Sequence, residues 1–399
     1  MTKITDIPAI RFKGFSDTWE QRKVTEIGKI YIGLVTTMTK HYTDEGTLLI
    51  RNSDIKDGKF EFGDNPIYLE KTFAEKNETR MHQIGDVITV HTGDVGTSAV
   101  ITENEAKSIG FATIVTRPNP KIIDSNYLCS FLNTDKHKKW AVSISTGDGR
   151  TNYNLGDYFE LVVPVPSIAE QKKIASYIQK LNRLITLHQR KYDKLTNVKK
   201  SMLEKMFPQN GSNAPEIRFK GFTEAWEQRK LGEIGSVSMC RRIFKEQTSE
   251  NGEIPFYKIG TFGGEADAFI SRELFEEYKA KYQYPKKGDI LISASGSIGR
   301  TVVFTGKNEY FQDSNIVWLN HDKHLDNSFL KCFYSIVKWA GIEGSTIKRL
   351  YNDNILNTAI TLPSVEEQQK IGAYFENLDN LITLHQRKPN FYTGGYYAE

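Results

Sequence analysis

Apolar side chains fall at alternating spacings of four and three residues in two stretches of this chain. Ile174, Ile178, Leu181, Ile185, His188, Tyr192 and Leu195 make the first series, and Ile371, Phe375, Leu378, Ile382 and His385 the second. Such a series winds into one stripe on a helix that packs lengthwise on another helix. Ser167 and Glu170 precede the first series, and Ser364 and Glu367 the second, at the spacing of a capping box. The first helix is predicted to run to about Phe207, where Pro208-Gln209-Asn210-Gly211-Ser212 stops it. At about 1.5 Å per residue it makes a rod of roughly 60 Å.

A lone amphipathic helix is marginal in water. The two stripes are therefore expected to bury each other as an antiparallel, pseudo-twofold pair. His188 and His385 read as polar seam residues that help set register rather than as metal ligands. Leu195, Met202 and Met206 continue the first stripe, whereas Pro389 and Gly394-Gly395 break the second helix after Lys388. Residues 192–207 are thus expected to lack a partner and to fray. The aperiodic tail 389–399 reads as a truncation, a shifted frame or an artificial junction.

Outside the helices the pattern shortens to apolar runs between turn residues, such as Gly46-Thr47-Leu48-Leu49-Ile50-Arg51-Asn52 and Gly85-Asp86-Val87-Ile88-Thr89-Val90. These read as strands mixed with short helices, an α+β fold. The domain boundaries follow: a globular region at 1–163, a central helix at 164–209, a second globular region at 210–360, a distal helix at 361–388 and the tail 389–399.

The two halves are copies at their edges. Pro8 to Gly28 matches Pro215 to Gly235 at 15 of 21 positions, including Ile-Arg-Phe-Lys-Gly-Phe and Trp-Glu-Gln-Arg-Lys. Residues 166–191 match 363–388 at 16 of 26, and Leu184-Ile185-Thr186-Leu187-His188-Gln189-Arg190-Lys191 recurs unchanged from Leu381. The first pair is offset by 207 residues and the second by 197, so the second centre is ten residues shorter. The centres diverge in sequence, the pattern of two reading heads on one mount, with loops carrying the length difference.

Composition narrows this little. The 399 residues, 39% hydrophobic and 26% charged, describe an ordinary globular protein with a net charge of +4. Cys129, Cys240 and Cys332 are isolated, which excludes a Cys-x-x-Cys zinc pattern and suits a reducing, cytoplasmic setting. No run reaches the roughly 20 apolar residues of a membrane span. The charge is uneven: residues 167–207 hold ten Lys/Arg and three Asp/Glu, and residues 364–388 three and four. The excess on the first helix suggests an anionic neighbour, DNA or an acidic partner.

Catalytic motifs are missing. No G-x-x-x-x-G-K-[ST] loop is present. Asp64-Asn65-Pro66-Ile67-Tyr68 only faintly matches the N-P-P-[YF] loop of adenine-N6 methyltransferases, and Glu170-Gln171-Lys172 sits where Glu170 already caps a helix. Binding candidates come in corresponding pairs. Thr92-Gly93-Asp94-Val95-Gly96-Thr97 and Ser295-Gly296-Ser297-Ile298-Gly299-Arg300 both follow Gly-Asp strands, and their glycines would let backbone N–H groups approach phosphates. Arg51-Asn52 and Lys258 end matching strands, and Arg and Asn read guanine and adenine edges. Arg150-Thr151-Asn152 and Lys348-Arg349 close late polar loops. Each group reads equally well as turn or solvated surface.

The repeated Ile10–Lys23 and Ile217–Lys230 segments and the P-S-x-x-E-Q-x-K-I helix starts, Pro166–Ile174 and Pro363–Ile371, resemble the specificity subunit of type I restriction–modification systems. The resemblance implies two tandem α/β target recognition domains separated by long coiled-coil-like helices. Each domain would read half of a bipartite site on double-stranded DNA. It implies no catalysis by this chain, but assembly with two adenine-N6 methyltransferase and two restriction subunits, which would hold S-adenosylmethionine, ATP and Mg. The distal end departs from the family, whose second helix continues. A self-contained methyltransferase or nuclease, or a protein-only scaffold, are the alternatives.

Overall fold

The computed structural model describes residues 8–145, 151–209, 211–339 and 349–386. It divides into two compact units, Met1–Ile185 and Thr186–Glu399.

In the first unit a four-stranded antiparallel sheet runs in the order Gly28–Ile32, Ile114–Pro118, Val87–Thr89, Ser98–Val100. A second sheet holds Ile109–Gly110 parallel to Thr47–Ile50, followed by Tyr68–Leu69 and Tyr42–Thr43. Helix Ser125–Leu132, capped by Asp124, covers the first sheet with Tyr127, Leu128 and Leu132. The second unit repeats the plan with Gly235–Met239, Ile316–His321, Ile290–Ser293 and Thr301–Val303, and with Phe269–Ile270, Ile254–Tyr257 and Tyr310–Phe311. Helix Asn327–Ile336, capped by Asp326, stands where Ser125–Leu132 does. Part of the length difference lies in one loop: the small hairpin Ile55–Lys56/Lys59–Phe60 of the first unit has no counterpart among the described residues of the second.

The duplicated edges of each half meet in space. Glu20–Lys23 pairs antiparallel with Val162–Val165, just ahead of the first long helix, and Glu227–Lys230 pairs with Ala359–Leu362. Upstream of that strand, Arg11 forks onto Glu170, Nε at 2.9 Å and Nη2 at 2.6 Å. Arg218 does the same to Glu367 at 2.9 and 2.7 Å. The capping-box expectation holds for its serine half and is corrected for its carboxylate half. The Glu170 and Glu367 N–H groups sit 3.4 Å from the Ser167 and Ser364 hydroxyls, but each carboxylate binds an arginine. A buried carboxylate gains more from a charged two-point donor than from one backbone N–H. The next residue is equally committed. Gln171 accepts the Asp124 N–H and donates to the Ile122 and Pro166 carbonyls. Gln368 accepts the Asp326 N–H and donates to the His324 and Pro363 carbonyls.

The long helices span Ile168–Lys205 and Val365–Gln386. Their stripes are used differently from expectation. Ile174 packs on the core of the first unit beside buried Ala175, Ile178 and Leu181 are half-buried, and Ile185 is 51% exposed. Within the second unit, His188 and His385 do face each other, Nδ1 to Nδ1 at 2.9 Å, while Ile382 is half-buried. Ile371, Phe375 and Leu378, however, pack with Leu195, Met202, Leu203, Met206 and Phe207 and with Phe329. Phe207 stacks on Phe329 at 5.2 Å, and Lys199 and Lys331 share Asp379 at 2.5 and 3.1 Å. The pairing within this unit is antiparallel, as expected, but the expectation that 192–207 lack a partner is overturned. Leu203, Met206 and Phe207 are 8%, 2% and 4% exposed. Their cover comes from the globular core, which the stripe alone did not reveal. The tail 389–399 lies outside the described residues.

Candidate nucleic-acid interface

Each unit brings its three candidate segments to one place. In the first, Thr92 and Asn152 form a β-bridge, Thr92 Oγ1 donates to Asn152 Oδ1 at 2.8 Å, and Gly93 N–H donates to the Thr151 carbonyl at 3.3 Å. The strand-end segment joins them, since His91 N–H donates to Asn52 Oδ1 at 2.8 Å. In the second, Ser295 bridges Arg349, and Arg300 Nη2 donates to the carbonyl of Ile259, next to Lys258, at 3.1 Å. Arg150 and Lys348 lie outside the described residues.

Several candidates are engaged within the fold. The Arg51 guanidinium forks onto buried Asp54 at 3.0 and 2.8 Å, a hydrogen bond that raises its pKa. Asn52 also gives its amide N–H to the Ala112 carbonyl at 3.1 Å, so both its ends are taken. Thr97 is 1% exposed and donates to Asp94 at 2.7 Å. The turn N–H groups are spent as well. Those of Gly93, Gly96 and Thr97 donate to Thr151, Val90 and Asp94, and those of Gly299 and Arg300 to Ser293 and Ser297. These turns therefore do not offer those donors to phosphate. Gly96 and Gly299 serve geometry, at φ +84° and +83°, and a Cβ there would come within 3.1 Å of His137 or 2.9 Å of Trp339. Gly93 and Gly296 are exposed at the turn tips.

What remains open differs between the units. In the second, a cleft of about 740 Å³ is lined by Arg242, Phe244, Lys245, Gln312, Asn315 and Arg349 among others. Lys258, also on its wall, pairs with Asp267 at 2.9 Å. The residues just past Tyr310–Phe311 and past the matching strand Ile109–Gly110 occupy equivalent places. They are Gln312 and Asn315 in one unit, and exposed Phe111 (37%) and fully buried Thr113 in the other. Burial lowers the pKa of His91, which keeps that ring neutral and adds no cation to the first site. Phe111, Arg242, Phe244, Lys245, Gln312 and Asn315 were not singled out by sequence reasoning. The Arg241-Arg242-Ile243-Phe244-Lys245 run, cations interleaved with an aromatic, was the available signal.

The arrangement suits recognition. Among the described residues no group of three or more His, Cys, Asp or Glu is placed to hold a metal ion, and no helix is long and apolar enough to cross a membrane.

Comparison with known proteins agrees with two copies of one domain. Residues 16–197 and 223–391 match the family described as the type I restriction modification DNA specificity domain. A putative type I restriction enzyme specificity subunit of Haemophilus influenzae is 60% identical over 158 residues, 39% of this chain and 41% of that protein. The putative MjaX specificity subunit of Methanocaldococcus jannaschii is 24% identical over 407 residues, covering 97% and 91%. The crystal structure of a type I restriction-modification S subunit from M. genitalium shares the fold, with TM-score 0.60 and 13% identity over 96% of this chain and 93% of that one.

Proposed function

The chain belongs to the type I restriction–modification DNA specificity family, and from that premise we propose that it is the non-catalytic, cytoplasmic DNA-reading subunit of such a complex. Each unit reads one half of a bipartite duplex site through its three converging segments. Methyltransferase and restriction subunits, two of each, supply the chemistry and carry S-adenosylmethionine, ATP and Mg. One observation supports this above the rest: two units of the same topology, locked by the same Arg–Glu and Gln contacts, present different side chains at the same place. A scaffold that only docks proteins has no need of that divergence.

The test is to express the chain with its methyltransferase subunit and map methylated adenines in the host DNA. Methylation should fall on a single asymmetric bipartite motif, two specified halves around an unspecified gap. Methylation by the chain alone, or a contiguous motif, would contradict the proposal.

A further inference from the structure

The cleft of the second unit holds side-chain donors whose orientation the fold sets. Gln312 Oε1 accepts the Ile259 N–H at 2.9 Å. A backbone N–H can only donate, so the amide oxygen is fixed inward and the N–H₂ group is left for the cleft that Gln312 lines. Asn315 Oδ1 takes the Ser295 hydroxyl at 2.8 Å, a partner that can donate or accept and so does not by itself fix the amide. Of the three carboxylates on the same wall, Asp267 pairs with Lys258 at 2.9 Å and Asp313 lies 4.0 Å from Arg242, while Glu250 completes the lining.

Arg349 sits among these donors. Its backbone is held by the bridge to Ser295, and the next residue, Leu350, donates its N–H to the Ala294 carbonyl at 2.8 Å. Its Nη2 donates to Ser314 Oγ at 2.7 Å, and its guanidinium lies 5.9 Å from the centre of the Tyr351 ring. A hydroxyl and a ring orient the group without neutralising it, and Arg349 forms no ion pair among the described residues. Arg51 is the counterexample, with its fork closed on Asp54. A guanidinium that is not neutralised, beside the Gln312 amide N–H₂, matches guanine, whose major-groove edge offers the two acceptors N7 and O6, whereas adenine and cytosine each present an amino donor that needs an acceptor.

We propose that Arg349 reads a guanine in the half-site of the second unit, its guanidinium forked on N7 and O6. Ser314 and Tyr351 position it, and the Gln312 amide lies alongside as a further donor. The inference rests on the DNA-reading function and deepens it by naming the base.

Arg349→Lys and Arg349→Ala decide the matter, each expressed with the methyltransferase subunit and read by mapping methylated adenines. The half-site of the second unit is identified beforehand by exchanging the centres of the two units. Arg349→Ala should lose discrimination at one G·C pair of that half-site by about tenfold or more, and Arg349→Lys, which can still donate to N7 and O6, should lose no more than that. The other half-site and the remaining positions should stay as they were. Full discrimination in Arg349→Ala would mean that Arg349 contacts at most a phosphate and would overturn the proposal. An unchanged motif, relaxation at an A·T pair, or a uniform loss of methylation in both variants would overturn it as well. If the unaltered chain directs no bipartite methylation, the underlying DNA-reading function fails instead, which is a separate result.

Discussion

His82 and His137 are the buried histidines of the first unit, 2% exposed each, and burial lowers both to about 4. A neutral ring inside the fold that charges when unfolded couples stability to pH. Because the folded pKa lies below the ordinary value of about 6.5, the stabilisation is complete above that pH and is lost as pH falls toward 4. The second unit has no buried histidine among its described residues. Hydrogen exchange, corrected for intrinsic rates, should show the first unit opening before the second between pH 6.5 and 4.5. Changing His82 and His137 together to Asn should shrink the difference, and equal opening of both units would contradict it. At this scale the sequence was only partly legible. Arg51 and Asn52 are chemically apt base readers, but Asp54, the His91 N–H and the Ala112 carbonyl already satisfy them. Residue type announces what a side chain can bind. Only the fold shows whether that capacity is already spent, as it is for Arg51 and is not for Arg349.

Between elements, the first long helix is anchored at both ends and solvent-exposed in the middle. Ile174 and Ala175 pack in the first unit, and Leu195 through Phe207 in the second, while residues 182–191 are exposed throughout. An insertion there disturbs no core. Four residues added after Lys191 lengthen the helix by about 6 Å, close to two base pairs at about 3.4 Å each. The His188–His385 register would be lost, since only one of the two rings moves. The methylated motif should then show a longer gap between unchanged half-sites. An unchanged gap with an altered half-site would refute a spacing role for the helix. Both helices were legible because their periodicity is strong and duplicated. The partner of the distal stripe was not, because Phe207 is met by Phe329 from a helix far away in sequence. A stripe fixes which face of a helix is buried, but not what buries it.

Over the whole chain, duplication was the most legible feature, and the structure gives its physical basis. The conserved edges are the parts that touch each other: Glu20–Lys23 on Val162–Val165, and Arg11 on Glu170. The second half repeats this with Glu227–Lys230 on Ala359–Leu362, and Arg218 on Glu367. Contacts made inside the frame fix its residues, whereas the proposed reading positions Phe111 and Gln312 lie outside those contacts and are free to differ. The frame should therefore accept either centre. The most direct test replaces residues 29–160 with a second copy of 236–360 and maps methylated adenines when the chimera is expressed with the methyltransferase subunit. The account predicts a palindromic motif built twice from the half-site of the second unit. Persistence of the original asymmetric motif would show that bases are read elsewhere in the chain.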